Sequence, residues 1–117
     1  MEEPRPEDLR ARYAERLRAE LAELRTASEA TRGERRPVTL DQQSVGRLSR
    51  MDAMQGQAMA AATEARRAGR ERAIAAALAR LEGEDFGWCD GCGEFIGLKR
   101  LDLDPVAQRC VACASGK

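Results

Sequence analysis

The chain has 117 residues, enough for one domain or a small domain with an extension, and much of its 43% hydrophobic content is alanine, which argues against a large globular core. Lys plus Arg and Asp plus Glu each total 20, and the balance holds locally: residues 1–36 carry nine of each sign, 37–84 seven basic and six acidic, 85–117 four and five. No segment reads as a polyanion-binding patch, and no long apolar run or secretory signal occurs, so the expectation is a soluble, cytoplasmic protein with no membrane partner.

Pro6 suits a first helical position, and Glu7 and Asp8 complement the dipole of the turn they open. Leu9, Tyr13, Leu17, Leu21 and Leu24 then recur at spacings of four and three, which predicts a helix over about residues 7–31 with one narrow apolar seam. Gly33 is the expected C-cap. Pro37 forces a turn, so the tip is placed at about residues 32–41. Thr39-Leu40-Asp41-Gln42 has the form of a capping box, with Asp41 as an alternative cap.

From about Gln42 to Glu82 there is no proline and good helix formers dominate, which predicts a second helix of about 40 residues, roughly 60 Å long. Leu48, Met51, Ala58, Ala61, Ala65 and Ala68 are read as its stripe towards the first helix, giving an antiparallel coiled-coil hairpin over residues 1–83. The competing arrangement is a long helix that dimerises in trans; the short turn favours the hairpin. Past Gly69 the second helix is expected to outrun its partner, with Ile74, Leu78 and Leu81 forming a new seam.

Residues 84–117 contain the chain's only cysteines, as Cys89-Asp90-Gly91-Cys92 and, after seventeen residues, Cys110-Val111-Ala112-Cys113. Two C-x-x-C knuckles let four thiolates surround one tetrahedral Zn2+, and such a closed shell leaves no position for substrate, so the zinc is structural. Gly91 and Gly93 free the knuckle amides to approach the sulfurs. A pair of disulfides or a redox C-x-x-C is the alternative, disfavoured by the matched spacing and the absence of a secretory signal. Phe86, Trp88, Phe95, Ile96, Leu98, Leu101 and Leu103 are available to cover the module, with Trp88 expected in the core. The fold class is therefore mainly α: a long helical hairpin followed by a small four-cysteine zinc finger.

Glu84-Asp85-Phe86-Gly87-Trp88-Cys89, Cys92-Gly93, Ile96, Arg100-Leu101, Pro105 and Cys110-x-x-Cys113 resemble the C4 zinc finger of the DksA/TraR family, and the long hairpin fits the same family. The resemblance implies a transcription regulator that binds bacterial RNA polymerase without reading DNA, inserts its hairpin through the secondary channel and places acidic tip residues near the catalytic centre. The family's Asp-x-x-Asp-x-Ala tip is not intact; its nearest counterparts are Asp41-Gln42-Gln43-Ser44 and Ser49-Arg50-Met51-Asp52-Ala53, which makes Asp41, Ser44 and Asp52 the tip candidates. The cations that serve the alarmone ppGpp in family members are replaced by Asp104 and Ala114, so ppGpp is a doubtful ligand. Two other functions compete, a zinc-stapled coiled-coil adaptor and a nucleic-acid-binding finger; the even charge argues against the second. An enzyme is not expected, because the chain has no histidine, no cysteine outside the knuckles and no phosphate-cradling loop.

Overall fold

A computed structural model describes residues 4–35 and 46–116. In chain order the elements are α1 (Pro6–Ala30), a short 3-10 helix (Arg32–Arg35), α2 (Arg47–Glu82), α3 (Leu98–Leu103) and α4 (Val111–Ala114). Among the described residues there is no strand, only an isolated antiparallel bridge between Trp88 and Phe95. Nor is any described helix long and apolar enough to cross a membrane.

The N-terminus of α1 forms for local reasons. Arg5 caps it, Pro6 fills the first helical position, and the Asp8 carboxylate reaches back to accept from the Arg5 amide at 3.2 Å, one half of a capping box. The helix ends at Ala30, where the Thr31 hydroxyl donates to the Ala27 carbonyl at 3.0 Å. Gly33 is not the cap: it lies in the 3-10 turn and is absent from the glycines with positive φ. Gly46 is the last residue before α2, whereas a helix from Gln42 was expected; residues 42–45, like the capping box at 39–42, lie outside the described residues.

Contacts group the chain into two units that cut across both long helices. One unit joins Met1–Leu21 to Arg72–Lys117 and holds all the buried apolar residues among those described. Leu9, Tyr13, Ala14, Leu17 and Leu21 from α1 are buried there, with Ile74, Ala77 and Leu81 from α2, and Phe86, Ile96 and Leu101 beyond it. The Arg10 guanidinium donates to the Leu81 carbonyl at 3.0 Å, a cation satisfying the open end of α2. The start of α1 thus lies beside the end of α2, so Ile74, Leu78 and Leu81 are not an outrunning seam seeking another partner. They belong to the hairpin.

The second unit is Ala22–Glu71. Here the inward residues of α2 are mostly not those expected. Of the expected stripe Ala58, Ala61 and Ala65 are exposed, Met51 is 56% exposed and Ala68 is half-buried, while Arg50, Ala53, Gln57, Ala60, Thr63, Glu64, Arg67, Gly69, Arg70 and Glu71 are half-buried as well. Ala53, Gln57, Ala60, Glu64, Arg67 and Glu71 among them follow alternating steps of four and three, the spacing of a single helix face. The expected stripe lay one residue out of phase because alanine occurs on every side of this helix, and the true seam carries polar side chains. Arg67 donates to the Thr31 hydroxyl at 2.9 Å and lies 3.5 Å from a Glu64 carboxylate oxygen.

Candidate metal centre

The first knuckle begins where the Trp88–Phe95 bridge holds two extended segments side by side. The Cys89 amide donates to the Glu94 carbonyl at 2.8 Å, and the Gly93 amide returns to the Cys89 carbonyl at 2.9 Å, closing a tight loop. Gly93 sits at φ 76°, a conformation that strains any residue with a Cβ. Gly91 is needed for space: a Cβ there would lie 3.0 Å from the Cys113 sulfur.

The second knuckle is a helix start. Cys110 caps α4 and Cys113 falls in its only full turn, with the Cys113 amide 3.5 Å from the Cys110 sulfur. A bond of 2.8 Å from the Asp90 amide to the Gln108 carbonyl ties one knuckle to the other. The four sulfurs all lie within 4.8 Å of one another, and Cys92 and Cys110 are 3.8 Å apart. A tetrahedral ion with metal–sulfur bonds of about 2.3 Å spaces its ligands roughly 3.8 Å apart, so the donor set fits zinc. An S–S bond would need about 2.05 Å, and all four cysteines are free.

The electrostatics make the same demand for a cation. Backbone amides, Cys110's first and then those of Cys92 and Gly91, pull the Cys89 thiol down to about 6. Hydrogen bonding to Cys110, Cys89 and Cys92 pushes Cys113 up to about 12. Cys92 is also raised: the Glu94 amide favours its thiolate, but the Cys89 sulfur, burial and the Cys110 sulfur together outweigh it. The raised Cys92 and Cys113 thiols resist ionisation beside the Cys89 thiolate, and a divalent ion among the sulfurs removes the conflict.

A family model matches residues 84–117, and its description is "Prokaryotic dksA/traR C4-type zinc finger". The chain carries a DksA/TraR-type zinc finger. Its cofactor is one structural zinc. Curated relatives share part of the chain: a Haemophilus influenzae protein named "RNA polymerase-binding transcription factor DksA" is 50% identical over 40 residues, 34% of this chain and 28% of the relative. Its namesake in Escherichia coli K12 is 47% identical over 36 residues, 31% of this chain and 24% of the relative. The matched segments thus span about a quarter of these relatives. A solved structure, transcription factor DksA2 from Pseudomonas aeruginosa, is similar over 95% of this chain and 81% of its own, with TM-score 0.69 and 23% identity, a likeness of fold.

Around the DksA/TraR-type finger the structure adds a contact set that sequence reasoning missed. Asp102 on α3 accepts two hydrogen bonds from Arg12, at 2.8 and 2.6 Å, and one from the Tyr13 hydroxyl at 2.8 Å. Arg16 donates to the Asp102 backbone carbonyl at 2.7 Å. These bonds clasp α3 to α1. Arg12 and then Tyr13 hold the Asp102 carboxyl down to about 2, while burial and then Asp102 push Tyr13 up to about 12, so the clasp does not titrate near neutrality. The one legible signal was Tyr13 on an apolar stripe, since a buried tyrosine hydroxyl needs a partner. In a double-mutant cycle, Arg12→Ala and Asp102→Ala each lower the melting temperature and the double variant loses less than their sum; strict additivity would contradict the clasp.

Trp88 differs from expectation. It is 38% exposed, its indole N–H donating to the Glu84 carbonyl at 3.1 Å and its ring edge-on to Phe95 at 5.7 Å. Gly87, at φ 92°, breaks the alternation between them, so Trp88 faces outward while Phe86, two residues earlier, enters the core against Tyr13. Of the tip candidates, Asp41 and Ser44 lie outside the described residues and Asp52 is exposed on α2, early in the helix. Asp104 closes α3, its carboxylate accepting from the Val106 amide at 3.3 Å, and Ala114 is exposed in α4.

Proposed function

We propose that this protein is a transcription regulator that binds bacterial RNA polymerase, with residues 1–83 as a hairpin that enters the secondary channel, residues 84–117 as a structural zinc finger, and the hairpin tip near the catalytic centre. The observation that carries the reading is the coincidence of a DksA/TraR-type finger with a DksA2-like fold over 95% of the chain. The even charge supports a protein partner over direct sequence-specific contact with DNA. Asp41, Ser44 and Asp52 are the tip groups, because a hairpin in a channel acts at a catalytic magnesium only through side chains near its end. No chemistry of its own is assigned to the protein; its one metal shell is closed by four sulfurs.

Purified protein is expected to co-elute with RNA polymerase core and to change the lifetime of promoter complexes. Asp41→Asn together with Asp52→Asn should keep the binding and lose most of that effect. The effect should also be indifferent to ppGpp, because Asp104 presents a carboxylate where an anionic nucleotide needs a cation. Failure to bind polymerase would refute the reading as a whole. A double variant that regulates like the parent would leave occlusion of the channel as the mechanism, and micromolar ppGpp binding at the junction would overturn the last point.

A further inference from the structure

Stability is unevenly divided along the two long helices. Among the residues whose burial is described, every buried one lies in the unit formed by Met1–Leu21 and Arg72–Lys117, and none in Ala22–Glu71. In that second unit seven of the eleven half-buried residues described on α2 are polar or charged, Gln57, Glu64 and Arg67 among them. Such packing removes little apolar area from water, and that burial is the main term opposing the entropy of an ordered helix. Gly56 weakens the same stretch. A Cβ at this position would meet nothing within 4 Å, so no close packing requires the glycine, and its backbone entropy destabilises the helix by about 1 kcal/mol relative to alanine.

We infer that the described residues of Ala22–Glu71 form a separate cooperative unit that opens while the unit containing the core and the finger stays folded. Arg67 contributes to its closure, bridging the Thr31 hydroxyl at 2.9 Å and the Glu64 carboxylate at 3.5 Å. The device suits a hairpin whose far half must fit a partner: the half that meets the partner is ordered late, and the half that positions it is already folded. The inference rests on the packing and holds whether or not the partner is RNA polymerase.

Hydrogen exchange of the full zinc-loaded chain, read by mass spectrometry, tests it. Both segments compared belong to α2, and in a uniformly packed helix residues 57–67, at its middle, would be protected best. The inference reverses that order: amides of 57–67 should exchange about 100-fold faster than those of 74–81. Gly56→Ala should slow exchange in 57–67 about fivefold and leave 74–81 unchanged, because it adds helix propensity without a new contact. Arg67→Ala should speed exchange in 57–67 about fivefold, again without effect on 74–81. Equal protection along α2, or variants that shift both segments together, would overturn separate opening. Arg67→Ala with unchanged exchange would overturn the bridge's part in holding the unit closed.

Discussion

Cys92→Ser is expected to abolish stoichiometric zinc and to lower the melting temperature of the whole protein by more than about 10 °C. Cys92 is the exposed member of the four, so its replacement tests the metal and not lost packing. Structural zinc supplies on the order of 10–16 kcal/mol of binding free energy in small fingers, comparable with the entire stability of a domain. The loss cannot stay within residues 84–116. Phe86, Cys89, Ile96 and Leu101 are buried in the same unit as Leu9, Tyr13 and Leu17, so an unfolded finger uncovers the core side of α1. At about 4–8 °C per kcal/mol, even 2–3 kcal/mol of lost stem packing gives the expected shift. Elemental analysis and thermal unfolding followed by helix signal decide it: a variant retaining one zinc per chain and the parent's melting temperature would contradict the assignment, and a finger that melts alone beneath an unchanged helix transition would contradict the shared core.

The second large effect belongs to Leu17. It is 0% exposed at the centre of the α1 stripe, and Leu17→Ala should cost about 2–5 kcal/mol, lost transfer energy plus the cavity left behind. Met59→Ala is the matched control, because Met59 is 67% exposed and a surface truncation stays within about 0.5 kcal/mol. Urea denaturation of the two variants should separate them by several-fold in stability change. Equal, small losses would mean that the core is not where the structure puts it, and the argument for a separately opening distal half would fall with it.

Much of this architecture is legible without coordinates, and the reasons differ by element. The α1 seam could be read because large apolar residues stand at Leu9, Tyr13, Leu17 and Leu21 against a charged background, so the period carries its own phase. The same method failed on α2. There alanine occupies every face, and Gln57, Glu64 and Arg67 sit at inward positions, so the period was visible as helix but its phase was not. The Asp102 clasp left almost no trace either, since its partners Arg12, Tyr13 and Arg16 are some ninety positions away in a chain with many arginines.

What the sequence by itself determined is local chemistry: two C-x-x-C knuckles close enough along the chain to chelate one zinc, a proline-started helix, and a proline-free run long enough for a second. Only the tertiary structure decided which face of α2 turns inward, that the end of α2 meets the start of α1, and that Trp88 points to solvent while Phe86 is buried. The physical reason is range. Metal knuckles and helix caps are satisfied within a few residues, whereas phase, register and exposure are settled by competition among side chains for one small core, and that competition is decided by residues distant in sequence.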